Sequence, residues 1–160
     1  MKDKILILVE ITMVILVIGT LAVIILPAFI GDTKERYGIE AVKSNMILLQ
    51  QAIDTYGQKH KGKFPDNLDQ LSADAKAGKY DKTIFNPFTY VTGETEKREI
   101  SITLRPEEYA IISNITSFPN YKGKVAYYPV SKKMYAIYGF DKQGGFIKEG
   151  HKIFTLTNAK

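Results

Sequence analysis

From Ile5 to Ile30 the chain is apolar at nearly every position and carries one charge, Glu10. A run with no polar face predicts a helix that must be covered by apolar material on all sides. It also exceeds the roughly 20 residues that suffice to span a bilayer. An ionised carboxylate is costly in hydrocarbon, so Glu10 is a candidate functional residue by its position alone. Gly19 and Pro27 interrupt the run. Both lower helix propensity, and proline removes one backbone hydrogen bond. Membrane helices tolerate such residues, and in an assembling helix they could let a segment bend or locally melt.

After Asp32 the pattern becomes amphipathic. Ile39, Val42, Met46, Leu49, Ile53 and Tyr56 fall three or four residues apart, while Glu40, Lys43, Gln50, Gln51 and Asp54 take the opposite face. This is a helical apolar stripe of heptad type. Its short length favours a helix packed onto its own domain over a lone coiled coil. Gly57, Gly62 and Pro65 predict its end. From Ile5 to about Lys61 the two patterns join into one helix of roughly 85 Å at about 1.5 Å per residue.

A connecting region follows, from about Gly62 to Gly93. Asp66 or Asn67 is placed to cap a short helix carrying Leu68 and Leu71. Asn86-Pro87-Phe88 and Thr92-Gly93 read as turns. Beyond them the chain reads as strands: Ile100 to Leu104, Glu108 to Ser113, Val125 to Tyr128 and Met134 to Phe140. Asp141 to Gly145 reads as a turn, with Phe146-Ile147 and Ile153 to Leu156 as a closing hairpin. The ten tyrosines, many in these strands, suit the half-buried face of a sheet. The predicted class is α+β: one long N-terminal helix, membrane-spanning in its first half and amphipathic in its second, packed on a small C-terminal antiparallel sheet of roughly three to five strands.

Composition narrows this further. The chain has 160 residues, which suits one modest domain plus an anchor. The net charge is +5, and because Lys2 and Lys4 offset Asp3 and Glu10 the excess lies after residue 30. It is spread over lysines such as Lys59, Lys61, Lys63, Lys76, Lys79, Lys82, Lys122, Lys124, Lys132 and Lys133, which reads first as a solvated basic surface. Attraction to acidic polymers, DNA included, is the minority reading. With no cysteine, disulfides and thiolate metal sites are excluded. His60 and His151 stand far apart among lysines and glycines and read as surface residues. No zinc spacing, phosphate loop or nucleophile elbow is present, and Gly144-Gly145 reads as a turn. No catalytic residue, metal site or cofactor is therefore predicted, and with Asp141 the one acidic residue in its turn no calcium ligands are named there. The apolar run is too long for a secretory signal, and Lys2 and Lys4 ahead of it favour a cytoplasmic N-terminus with an exported body.

The stretch LILVEITMVILVIGTLAVIILPAFI resembles the N-terminal segment of type IV pilins and type II secretion pseudopilins. With Leu6 taken as the first mature residue, Glu10, Gly19 and Pro27 fall on that family's glutamate, glycine and proline. YGQKHKGKFPDNLDQL, from Tyr56 to Leu71, is similar to the family's helix end, and Asn86-Pro87-Phe88 is similar to a proline-aromatic element of its major pseudopilin. The likeness is close over residues 6 to 71 and loose beyond. It divides the chain into a short charged leader (1–5), a transmembrane or filament-core helix (6–30) and an extracellular or periplasmic pilin-like domain (31–160).

The resemblance implies a non-enzymatic structural subunit of a type IV pilus or secretion pseudopilus. Glu10, Gly19 and Pro27 are its candidate assembly residues, and Leu6, after Ile5, its candidate site of processing and N-methylation. Ile5 stands where the family has glycine, so a processed chain and one keeping its leader both stay open. In the second case Glu10 needs a partner such as Lys4 or Lys2 of a neighbour. The implied partners are further copies of the chain, other pilin-like subunits, an inner-membrane assembly platform, a prepilin peptidase if the leader is cut, and membrane lipid before assembly. A membrane-anchored binding domain that never polymerises and a DNA-capturing competence pilus subunit are the alternatives.

Overall fold

The computed structural model describes residues 2–95, 97–114 and 117–158; the side chains of residues 2–6, 8 and 24–32 lie outside that description. The class is α+β. The chain forms two compact units, Met1–Arg36 and Tyr37–Lys160, and helix α1, Lys2–Lys59, belongs to both. The second unit adds α2 (Leu68–Gly78), β1 (Thr83–Asn86), β2 (Val91–Glu94), β3 (Ser101–Thr103), α3 (Pro106–Ile112), a 3-10 turn (Pro119–Tyr121), β4 (Val125–Ser131), β5 (Met134–Gly139), β6 (Lys148–Glu149), β7 (Lys152–Ile153) and β8 (Thr155–Thr157).

The central sheet has strand order β3-β4-β5-β8. Side chains on a strand alternate between faces, and β4 and β5 use both. Val125, Tyr127, Tyr135 and Ile137 pack with the α1 stripe Val42, Met46, Leu49, Ile53 and Tyr56 and with Leu68 and Leu71 of α2. Ala126, Ala136, Tyr138 and Phe140 form a second cluster with Leu104, Ile112 and Phe146. The amphipathic half of α1 thus lies on the sheet, as its spacing predicts. Contact is close: a Cβ on Gly139 would stand 2.8 Å from Val42 Cγ1 and from Met46 Sδ.

Four sequence expectations need correction. The sheet is mixed, because β3 pairs with β4 in parallel, Ser101 opposite Val125. A parallel pair needs a long connection, and α3 with the 3-10 turn supplies it. Glu108 to Ser113 therefore contributes to helix α3 and not to a strand. Pro106 occupies its first turn, and Glu108 Oε2 accepts the Arg105 amide at 2.9 Å. Both features start helices, and they override a short apolar run. Thr92-Gly93 lies inside β2, paired with Phe85 and Ile84; the reversal falls earlier, after Asn86. The last hairpin is β6–β7, while Ile147 turns into the main core and β8 extends the sheet edge against β5.

Two strand tyrosines are more deeply buried than a half-exposed face requires. Tyr127 and Tyr135 have no exposed surface. Each buried hydroxyl finds an acceptor: Tyr127 donates to the Pro65 carbonyl at 2.6 Å, and Tyr135 to Asp54 Oδ1 at 2.6 Å. Burial raises both phenol pKa values.

Candidate functional site

In the first unit the candidate site is a surface with no protein cover. Ile7, Val9, Ile11, Met13, Val14, Ile15, and onward to Leu21 and Val23, each expose half or more of their surface. They point in all directions around the helix, because successive residues of an α-helix are about 100° apart. Contiguous apolar exposure of this kind marks a surface that another molecule or a membrane covers. Glu10 is exposed among these side chains.

Gly19 sits further along the same surface, with no atom within 4 Å of where a Cβ would be. Leu16, Gly19, Thr20 and Val23 line one shallow apolar groove. The Thr20 hydroxyl donates back to the Val17 carbonyl at 2.9 Å, which removes its polar atom from the groove floor. The backbone is helical at Leu6, Gly19 and Pro27, while the side chains of Ile5, Leu6 and Pro27 lie outside the described residues. Among the described residues no helix is long and apolar enough to cross a membrane. In sequence the apolar run continues past Val23 through Ile30.

The second unit holds a cluster that the sequence reading passed over. His60 is not a bare surface residue. Its ring stacks on Tyr56 with centroids 4.0 Å apart, and its Nε2 lies 3.0 Å from Asp74 Oδ1. Asp74 Oδ2 accepts the Tyr80 hydroxyl at 2.5 Å, and Lys59 Nζ stands 4.1 Å above the Tyr80 ring. The Tyr80 hydrogen bond, followed by that from His60, holds the Asp74 carboxyl below its usual pKa against the opposing effect of burial. The signal for half of this was present, since Tyr56, Lys59 and His60 share one helix face at i, i+3 and i+4. Nothing in the pattern linked them to Asp74 and Tyr80.

Asp66 and Asp141 have structural roles. Lys132 holds both oxygens of Asp66 at 2.5 and 2.6 Å, so Asn67 and not Asp66 caps α2, accepting the Gln70 amide at 2.8 Å. Asp141 Oδ1 accepts the amides of Gln143 and Gly145 at 2.8 and 2.9 Å, which builds its turn. No group of three or more histidine and acidic side chains that could hold a metal occurs among the described residues.

Comparison with protein-family models, with curated protein sequences and with solved structures finds no match to this chain.

Proposed function

We propose that the chain is a structural subunit of a filament of the type IV pilus or secretion pseudopilus kind. Its apolar N-terminal helix holds it in the membrane before assembly and lies at the filament core afterwards. The observation that carries this is the apolar surface from Ile7 to Val23, uncovered on every face and carrying Glu10. A membrane removes that surface from water first, and neighbouring copies do so next. The gain is the same in kind, apolar area lost to solvent at about 25 cal/mol per Å². In such a bundle the Glu10 carboxylate sets the register between copies, because a charge in a dry interface is tolerated only opposite a partner.

On this reading the sheet domain forms the outer surface, the N-terminus faces the cytoplasm, and a platform and a prepilin peptidase act on the chain from outside it. The resemblance over residues 6 to 71 supports the reading through Glu10, Gly19 and Pro27. A second reading, an anchored binding domain that stays monomeric, is favoured by Ile5 in the position before Leu6.

Glu10→Ala separates the two. A filament subunit carrying it still enters the membrane fraction, but sheared filaments fall at least about tenfold, the effect of losing about 1.4 kcal/mol per contact. If Glu10→Ala yields filaments at the wild-type level, the register role is wrong. If the wild-type chain is never recovered in a sheared fraction, the monomeric reading stands.

A further inference from the structure

At the C-terminal end of α1 the fold gathers positive charge that is scattered in sequence. A half-open groove of about 420 Å³ is lined by Lys59, His60, Lys61, Lys63, Gln70 and Lys132, with Tyr56 and Phe64 at its base. Its far wall is the β4–β5 turn, tied across by the Phe64 amide donating to the Lys132 carbonyl at 2.9 Å. Two carboxylates lie beside it, and both are engaged: Asp66 by Lys132, Asp74 by His60 and Tyr80.

That leaves a surplus of cations. Lys59 is in the last helical turn, where a cation complements the helix dipole, and it also stands over Tyr80. Lys61 and Lys63 lie beyond the helix and have neither role. Neither has an ion-pair partner among the described residues. Lys61 has φ +56° and Gly62 φ +78°. Two consecutive left-handed residues form the tight reversal that brings Lys59, Lys61 and Lys63 to one groove. The Gly62 amide donates to the Gly57 carbonyl at 2.8 Å, the bond that closes a helix C-terminus in the left-handed conformation.

We infer that this groove binds a compact, multiply charged phosphate chain. Lysine meets phosphate as a point charge without the fork geometry of arginine, and the unpaired Lys61 and Lys63, with Lys59 and Lys132 lining the same groove, suit a ligand with several closely spaced charges. Nucleic acid fits less well. Sequence-tolerant binding of single strands needs free aromatic faces for the bases. Here Tyr56 is buried under the His60 ring, and Phe64 is packed edge-on against Tyr135 at 4.7 Å. The inference concerns the second unit and stands whether or not the chain forms filaments.

The test is calorimetric titration of the full chain in detergent micelles with sodium tripolyphosphate at low and moderate salt. We expect saturable binding that weakens with salt and falls about tenfold in Lys61→Gln/Lys63→Gln, as for loss of charge-assisted contacts. Lys63→Gln alone, in an exposed loop, gives an intermediate loss and guards against misfolding of the double variant. Lys148→Gln/Lys152→Gln, on the β6–β7 hairpin, leaves affinity within about twofold, since it removes the same formal charge elsewhere. Absence of binding at low salt overturns the inference. So does equal loss in the hairpin variant, which would mean diffuse attraction to net charge, or tighter binding of oligothymidylate than of tripolyphosphate.

Discussion

Tyr135 of β5 donates its hydroxyl to Asp54 of α1 at 2.6 Å, across 81 residues of sequence. The phenol is without exposed surface, so this bond is how the sheet accommodates a polar atom at its contact with the helix. Asp54 stands on the polar side of the α1 pattern. Tyr135→Phe removes the donor and leaves a partly exposed carboxylate that water can serve. We expect a loss of about 1 to 2 kcal/mol, within the range for a hydrogen bond to a charged group. Asp54→Ala removes the carboxylate acceptor and leaves the buried hydroxyl with the Gln50 side chain alone, so it costs more than Tyr135→Phe. Denaturant titration of both variants checks the order, and the reverse order would contradict this account.

Asn86 is fully buried at the β1–β2 reversal. Its Oδ1 accepts the Phe88 and Thr89 amides at 3.0 and 3.2 Å. Its Nδ2 donates to the Lys122 and Glu99 carbonyls at 2.8 and 3.3 Å. One side chain therefore shapes the turn and ties it to two distant segments. Asn86→Ala leaves several buried polar groups unpaired, each costing about 1 to 3 kcal/mol. We expect a thermal midpoint lower by at least about 8 °C. A shift within experimental error would show that water replaces the asparagine without cost.

Gly19 has open space around it in the single chain. Gly19→Leu therefore costs the isolated helix nothing, and it improves backbone propensity by up to about 1 kcal/mol. In the bundle that the filament proposal requires, the added side chain fills the groove between Leu16 and Val23. The expected outcome is unchanged or higher helicity in micelles together with fewer sheared filaments. Wild-type filament yield from Gly19→Leu would remove Gly19 from the assembly interface.

Asp74 links stability to pH. The Tyr80 and His60 hydrogen bonds hold its carboxyl below the ordinary value of 3.8. A group depressed on folding contributes stability that is fully present above its unfolded pKa and is lost as pH falls through its folded pKa. Wild type should therefore exceed Asp74→Asn in thermal midpoint at neutral pH, and the gap should close as pH falls below about 4. A gap that stays constant from neutral pH to about pH 3 would show that the carboxylate charge contributes nothing.

The sequence by itself determined the elements whose signal is local and periodic. The stripe from Ile39 to Tyr56 repeats a helical period, and its burial against the sheet follows that period; the uniform run around Glu10 is legible by its length and its lack of polar positions. The Asp141 turn was legible for a similar reason, since it closes hydrogen bonds within a few residues, whereas the choice of Asn67 over Asp66 as the α2 cap needed the distant Lys132–Asp66 pair. Only the tertiary structure decided what depends on residues far apart in the chain. The parallel pairing of β3 with β4 turned on whether Glu108 to Ser113 was strand or helix, and Pro106 with the Arg105–Glu108 bond settled it. Tyr135 against Asp54, His60 against Asp74, and Lys132 against Asp66 are pairs between separate elements. Charge and hydroxyl position carry no period that would announce such pairs, so they exist only once the α1 stripe has docked on the sheet and fixed which side chains meet.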